Sequence, residues 1–88
     1  MAAPFTVTIS TFDKSIYKGE ATSLIAPGEG GYLGVLAHHA PLITPLKPGN
    51  IALKTPDGKE VFIESSGDGF MEVARNNATL LLDSVREK

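Results

Sequence analysis

A regular alternation of apolar and polar residues constrains the fold of this chain more than any other feature. In the segment FTVTISTF, residues 5–12, Phe5, Val7 and Ile9 alternate with threonine and serine. This period of two predicts a strand that buries one of its faces. Further extended segments are predicted at residues 15–26, 31–36 and 41–46. Prolines in the last of these exclude a helix interior.

Two hairpins are predicted from turn chemistry. In the first, residues 51–55 and 59–64 flank the motif Pro56-Asp57-Gly58, where proline presets φ and the next two residues tolerate turn geometry. The second covers residues 69–84 and turns at Asn76-Asn77, because asparagine accepts the positive φ of a tight turn. Turn signals about every 8–12 residues, without an amphipathic helix between them, predict an antiparallel sandwich or barrel.

The composition is that of one globular domain spanning residues 1–88. The chain has no cysteine, which excludes disulfides, thiolate metal sites and a cysteine nucleophile. Its 8 Lys and Arg against 10 Asp and Glu, with no basic cluster, argue against nucleic-acid binding. No apolar run approaches the ~18–20 residues of a membrane span. We therefore expect no nucleic-acid partner and no direct membrane insertion.

The segment GEGGYLGVLAHHAPLITPLKPG, residues 28–49, holds both histidines and a concentration of glycine and proline. It is not a dinucleotide-binding loop, because Leu33 stands where the third glycine of G-x-G-x-x-G would fall. The adjacent His38 and His39 point to opposite sides of an extended chain, and two ligands are fewer than a zinc site needs. We expect neither a metal nor a cofactor here.

The remaining chemistry also favours binding over catalysis. A catalytic set assembled from Ser65, His39 and Asp68 lacks the G-x-S-x-G elbow of a serine hydrolase. Three prolines between residues 41 and 48 stiffen the loop, so it loses little conformational entropy on binding. The residues alone therefore favour a small, rigid β-sandwich that binds a partner and is not an enzyme.

The segment TLLLD, residues 79–83, is apolar on both faces of its predicted strand. Leu80 and Leu82 share one face, and Leu81 lies on the other. Either a loop of the same chain or another protein could cover Leu81. The sequence leaves both alternatives open.

The central segment APGEGGYLGVLAHHAPLITPLKPGNI resembles the signature of the epsilon subunit of F-type ATP synthase, in its N-terminal domain. The matching motifs are, in chain order, Pro27-Gly28, Glu29-Gly30, Leu33-Gly34, His39-Ala40-Pro41-Leu42 and Lys47-Pro48-Gly49. The flanking segments KGEATSLIAP and SSGDGFMEVARNNATLLLDS also fall where strands of that family do. The resemblance implies an all-β fold, an antiparallel sandwich of two sheets with about ten short strands.

The resemblance also implies a function. In this family the domain is a non-catalytic part of the rotor stalk, packed between the gamma subunit and the c-ring, on the cytoplasmic side of the bacterial inner membrane. There it couples c-ring rotation to ATP synthesis. The implied c-ring contacts are Glu29, Gly30, Tyr32, His39 and Pro41. The two-faced last strand makes Leu81 and Thr79 the candidates for the gamma side.

Two features depart from the family pattern. Ala37-His38 stands where the family often has Pro-Gly, so the family offers no role for His38. Family members usually continue into a C-terminal helical hairpin that can inhibit ATP hydrolysis. Here Ser84 and Glu87 have capping-box spacing, so residues 83–88 are interpreted as a stub of that domain. Inhibition by helix extension is expected to be absent.

A second interpretation remains open at this point. The chain could be a small β-sandwich interaction or carrier module of unrelated function. A lipoyl-type carrier displays a lysine at a hairpin tip, and Lys59, directly after the PDG motif, is the candidate. The chain lacks the methionines that flank such a lysine.

Overall fold

The computed structural model describes residues 2–86, which form nine strands and no helix. The strands are β1 (Phe5–Thr11), β2 (Ser15–Ala21), β3 (Ser23–Gly28), β4 (Gly31–Val35), β5 (Leu42–Leu46), β6 (Gly49–Lys54), β7 (Glu60–Ser65), β8 (Gly69–Ala74) and β9 (Asn77–Leu82). The all-β prediction is confirmed, with nine strands against an expected ten. Val85 adds a single bridge to Ser65.

The strands form one sheet that folds back on itself into two layers. Their order is β2-β1-β9-β8-β5-β3-β6-β7, and β4 also pairs with β3. Strands from opposite ends of this order meet again, because Ser15 and Ile16 of β2 line the same groove as Phe62 and Ile63 of β7. We call β2, β1, β9, β8 and β5 the first layer, and β4, β3, β6 and β7 the second layer. The two layers form the predicted sandwich.

One pairing differs from the predicted antiparallel arrangement. β1 and β9 run parallel, with Ile9 opposite Leu80, whereas the other pairs among the nine described strands are antiparallel. Alternation in the sequence determines which face of a strand is buried, not the direction of its neighbour. Since β1 and β9 lie near opposite ends of the chain, no turn between them indicates that direction.

Apolar side chains from both layers fill the space between them. Leu80 and Leu82 are buried and Leu81 lies on the opposite face, as the alternation predicts. Leu81 is exposed rather than covered by a loop of residues 2–86. Burial of such a side chain contributes about 1.5–3 kcal/mol. The largest fully buried side chains are Val7, Ile9, Leu24, Val35, Leu46, Ile51, Met71, Leu80 and Leu82. They form one continuous core.

Both predicted hairpins form, with small shifts. β6 and β7 enclose residues 55–59, where Gly58 has a φ of 88°. In the second hairpin the positive φ angles fall on Arg75 (53°) and Asn76 (62°). This is one residue before the predicted pair, since Asn77 already belongs to β9. A two-residue turn with both φ angles positive is of type I′, whose twist matches that of paired strands.

The single extended segment predicted at residues 15–26 is two strands. β2 ends at Ala21 and β3 begins at Ser23, because the chain crosses from the first layer to the second between them. The N–H of Thr22 donates to the Lys54 carbonyl at 2.7 Å, which fixes this crossing to β6. The apolar pattern continues through the crossing, so the sequence contains no sign of it.

Residues 84–86 run beside β7. The N–H of Ser66 donates to the Ser84 carbonyl at 3.1 Å, and the N–H of Arg86 donates to the Glu64 carbonyl at 2.9 Å. The guanidinium of Arg86 also pairs with the Glu64 carboxylate at 3.4 Å. The last two residues, which include the glutamate of the predicted capping box, lie outside the described residues.

Candidate docking surfaces

The outward side of the first layer carries Leu81 and Thr79, the two residues predicted to face gamma. Leu81 lies opposite Phe70 on β8, and Phe70 lies opposite Pro45 on β5. Residues opposite one another on antiparallel strands project to the same side, so these three form one row. The neighbouring row on the same side consists of Thr79, Glu72 and Ile43.

Large apolar side chains on this side are exposed to solvent. The exposed fractions are 60% for Phe70, 73% for Ile43 and 49% for Leu81. Phe12, in the turn between β1 and β2, is 96% exposed and lines a groove with Phe70 and Leu81. We call Phe12, Ile43, Pro45, Phe70 and Leu81 the apolar outer face. Contiguous exposed apolar surface of this kind marks an interaction site.

Of the apolar outer face, only Leu81 is predicted from the sequence. Phe70 and Ile43 are of residue types that are usually buried, and each is next in sequence to an apolar residue that does face inward, Met71 and Leu42 respectively. Only the register of each strand decides which of two adjacent apolar residues faces inward. Leu81 was detectable because leucines precede and follow it, so at least one of the three lies outside in either register.

The second layer carries a smaller apolar row on its outward side. Ile25 lies opposite Ala52, and Ala52 lies opposite Phe62. Phe62 is 69% exposed, close to the exposure of Phe70. The two phenylalanines therefore form a matched pair on opposite outward sides of the sandwich.

Three residues predicted to face the c-ring lie in or beside the turn between β3 and β4. Glu29 and Gly30 form this turn and are exposed. A Cβ added at Gly30 would meet no atom within 4 Å, so the fold itself does not require glycine there. The Tyr32 hydroxyl accepts the Asn50 N–H at 3.2 Å. Tyr32 is thereby held against the start of β6.

The other two, His39 and Pro41, lie in the connection from β4 to β5, residues 36–41, which we call the histidine loop. The N–H of His39 donates to the Leu36 carbonyl at 3.2 Å. The His39 Nδ1 lies 2.7 Å from the Ala40 carbonyl oxygen, as a donor to it. These bonds hold the loop in a compact shape and leave Pro41 exposed.

The structure places the β3–β4 turn and the histidine loop at opposite ends of the sandwich. They are separated by β4, whose five residues span roughly 16 Å. The His38 N–H bonds to Asn76 in the β8–β9 turn. Near the β3–β4 turn, by contrast, the Lys47 N–H donates to the Pro27 carbonyl at 2.8 Å, beyond the far end of β5. The predicted c-ring residues thus fall into two groups, Glu29, Gly30 and Tyr32 at one end and His39 and Pro41 at the other.

The candidate catalytic set of Ser65, His39 and Asp68 is not brought together, and no metal-binding group is assembled among residues 2–86. That range holds no group of three or more His, Asp or Glu side chains placed to bind a metal. The buried Ser65 hydroxyl donates to the Gly67 carbonyl at 2.9 Å. Ser65 lies opposite Gly49, near the β3–β4 turn, and so at the opposite end from His39. Residues 2–86 also contain no helix of the length and apolar character needed to cross a bilayer.

Residues 4–88 match the family described as ATP synthase, Delta/Epsilon chain, beta-sandwich domain. The chain belongs to this family. The resemblance carried by the central glycine- and proline-rich segment is thereby confirmed. The family's β-sandwich agrees with the two layers of the structure.

Curated relatives of this family extend well beyond the matched region. The chain is 42% identical over 85 residues to the ATP synthase epsilon chain of Dichelobacter nodosus, covering 97% of this chain and 59% of the relative. It is 41% identical over 79 residues to that of Delftia acidovorans, covering 90% of this chain and 56% of the relative. For Psychrobacter the identity is 49% over 72 residues, covering 82% and 51%. The chain spans slightly more than half the length of these relatives.

Two solved assemblies contain a chain with the same fold. One is the mitochondrial ATP synthase of Euglena gracilis, resolved with OSCP, F1 and c-ring, at a TM-score of 0.88, 22% identity and coverage of 98% of this chain and 54% of that chain. The other is the central stalk and c-ring of the Tetrahymena thermophila mitochondrial ATP synthase. Its TM-score is 0.76 at 16% identity, and the match covers 93% of this chain and 65% of that chain. At these identities the similarity concerns the fold alone.

Proposed function

We propose that this chain is a non-catalytic part of the rotor of an F-type ATP synthase, where it lies between the gamma subunit and the c-ring and transmits rotation. Its family and the relatives named ATP synthase epsilon chain support this assignment. The two assemblies with a similar chain both include a c-ring, and the Tetrahymena thermophila assembly is the central stalk with its c-ring. In a bacterium such a subunit is a peripheral component on the cytoplasmic side of the inner membrane.

The apolar outer face carries the proposal. A rotor part must hold its neighbours under torque, which requires an extensive interface, on the order of 2,000 Å² or more for an obligate contact. Burial of apolar surface contributes roughly 25 cal/mol per Å², and Phe12, Phe70 and Leu81 offer such surface together. Glu72 and Thr79 lie in the adjoining row and provide a polar rim. We assign this face to gamma.

The two ends of the sandwich then take different roles. Pro41, Ile43 and Pro45 occupy alternate positions along the chain, so the histidine loop continues the apolar outer face past the start of β5. We therefore assign His39 and Pro41 to the gamma side. The exposed Glu29 and Gly30, at the far end of β4, are free to meet the polar loops of the c-ring.

Binding to gamma tests the first assignment. The domain is mixed with the purified gamma subunit on a sizing column, and the affinity is measured for Phe70→Lys and for its matched control Phe62→Lys. Phe70→Lys should weaken binding by at least tenfold, as expected for a central apolar contact. Phe62→Lys, on the opposite outward side, should bind like the unmodified domain. Equal affinity for both variants, or loss in the control alone, would contradict the assignment.

Cross-linking in the assembled enzyme tests the second assignment. The chain has no cysteine, so Glu29→Cys and Asp57→Cys each introduce a single attachment site for a photo-activated cross-linker. Asp57 lies in the β6–β7 turn. This turn is at the opposite end of the sandwich from the β3–β4 turn, because Lys54, at the end of β6, pairs with Ser23, at the start of β3. An adduct with the c subunit is expected from position 29 and not from position 57. The reverse result would place the other end against the membrane.

A further inference from the structure

The histidine loop contains a tight turn that is unusual for its sequence. The hydrogen bond from the His39 N–H to the Leu36 carbonyl closes a β-turn over residues 36–39. His38, the third residue, has a φ of 62°, while Ala37 is not among the residues with positive φ. This is the pattern of a type II turn, whose third position favours glycine or asparagine.

The type of this turn depends on the direction of one peptide group. Type I and type II turns differ chiefly in ψ of the second residue and φ of the third, which amounts to a flip of the peptide between them. Here that peptide joins Ala37 to His38. A histidine in the third position is less strained in a type I turn, where its φ is negative. The flip would reverse the direction of the His38 N–H, so a partner for this N–H favours the type II form.

Asn76 supplies that partner from a distant part of the chain. Its Oδ1 accepts the His38 N–H at 2.8 Å, across 38 residues of sequence. Its Nδ2 donates to the Pro4 carbonyl at 3.2 Å, and its own carbonyl accepts the Thr6 N–H at 3.2 Å. Asn76 is thus anchored to the start of β1 through both backbone and side chain, with its side-chain oxygen directed at the loop.

We propose that Asn76 is a positioning residue for docking. Its amide oxygen holds the Ala37–His38 peptide in the type II orientation, and this orientation determines how His39 and Pro41 are presented to a partner. The orientation of the loop follows from the hydrogen bonds of Asn76, whereas its role in docking rests on the proposed function above. Asparagine suits the position because it tolerates a positive φ and offers both an acceptor and a donor.

Exchange of the His38 amide hydrogen, measured by NMR on the domain alone, tests the loop. Asn76→Gly keeps the positive φ that the β8–β9 turn needs and removes both side-chain hydrogen bonds. His38 exchange should then be faster by roughly five- to tenfold, the worth of one hydrogen bond. Arg75→Gly is the matched control, because it changes the same turn without removing the bond to His38. It should leave the exchange rate unchanged.

Binding to gamma tests the docking role. Asn76→Gly should weaken binding by roughly five- to tenfold. Adding His38→Gly to the same chain should restore it, because glycine adopts the type II turn without help. Rescue at a site 38 residues away is not expected if Asn76 only stabilises the β8–β9 hairpin. Asn76→Asp provides a second test if Asn76→Gly fails to fold. With its carboxyl group protonated at low pH, it keeps an acceptor for the His38 N–H and a donor for the Pro4 carbonyl, so His38 exchange should stay slow under those conditions.

Each outcome decides a stated part of the proposal. Unchanged His38 exchange in Asn76→Gly, or fast exchange at low pH in a folded Asn76→Asp variant, overturns the role of Asn76 in the loop. Faster exchange without weaker binding, or weaker binding that His38→Gly does not restore, overturns the role in docking. If the unmodified domain does not bind gamma, the proposed function fails, and the exchange rates still decide the role in the loop.

Discussion

The β6–β7 and β8–β9 hairpins are both predicted by their turn residues, but they occupy different places in the sheet. Each pairs two six-residue strands around a turn that the sequence predicts. β8–β9 lies between β5 and β1, whereas β7 is the last strand in the order and pairs with β6. Three residues of β9 are buried, against one of β7. A local hairpin signal therefore predicts that two strands pair, but not how much of the molecule depends on them.

The two turns differ in the same way. In the β6–β7 turn the hydrogen bonds are local, since the N–H of Thr55 donates to the Lys59 carbonyl at 2.8 Å and the N–H of Gly58 to the Thr55 carbonyl at 2.9 Å. In the β8–β9 turn, Asn76 bonds to the first strand and to the histidine loop. Changes in the first turn should remain local, and changes in the second should affect distant parts.

The largest expected difference between the hairpins lies in their apolar residues. Leu80 on β9 is fully buried, and Leu80→Ala should lower the free energy of unfolding by about 3 kcal/mol, because it leaves a cavity in the core. Phe62→Ala on β7 should change it by less than about 0.5 kcal/mol, since this side chain is exposed. Urea unfolding followed by circular dichroism measures both. Similar losses for the two variants would show that the edge hairpin carries as much of the stability as the central one.

The next largest difference is expected between alanine substitutions at one glycine of each hairpin, Gly69 and Gly58, which lower the stability for different reasons. A Cβ at Gly69 would lie 2.5 Å from the Leu81 carbonyl oxygen, so Gly69→Ala must displace backbone and should cost about 2 kcal/mol. A Cβ at Gly58 would meet nothing within 4 Å, but the φ of 88° at this position is unfavourable for alanine. Gly58→Ala should therefore lower the free energy of unfolding by about 1 kcal/mol. The same unfolding measurement applies. A greater loss for Gly58→Ala would mean that turn strain outweighs close strand packing.

The sequence predicted the local structure well and the relations between distant segments poorly. Alternation identified the buried faces of β1 and β9, and turn chemistry located both hairpin turns to within one residue, because these features depend on neighbours in sequence. The parallel pairing of β1 with β9 and the crossing at Thr22 depend on contacts that no local pattern records.

The candidate site shows the same limit. Glu29 and His39 are ten residues apart in a single motif, and the resemblance places them on one surface. In the structure β4 separates them, because an extended strand carries the chain from one end of the sandwich to the other. The bond between Asn76 and His38 was equally inaccessible from the sequence, since asparagine in a predicted turn has a sufficient local explanation.

A smaller effect, of opposite sign, is expected in the β8–β9 turn. Arg75 has a φ of 53°, a conformation that costs a non-glycine residue about 1 kcal/mol or more. Arg75→Gly removes this strain and adds some backbone entropy to the unfolded chain, so a net gain of about 0.5 kcal/mol is expected. Thermal unfolding should show a slightly higher midpoint. A lower midpoint would indicate that the Arg75 side chain makes a stabilising contact that outweighs the strain.

The smallest expected effect concerns pH and the β6–β7 turn. The hydrogen bond from the Thr55 hydroxyl lowers the pKa of Asp57 from its ordinary value of 3.8, and the Lys59 backbone N–H and charge act in the same direction. A carboxyl group whose pKa is lower in the folded state stabilises that state above the ordinary pKa. This contribution disappears as the pH falls through the lowered value. Asp57→Asn should therefore slightly reduce the thermal midpoint at pH 7 and not at pH 2. Thr55→Val should reduce it at both pH values, and more at pH 7, because the Thr55 hydroxyl also bonds to the Lys59 backbone. Because Asp57 is fully exposed, solvent keeps the effect small; a large pH-dependent loss would show that this turn is coupled to the rest of the sandwich, as the β8–β9 turn is.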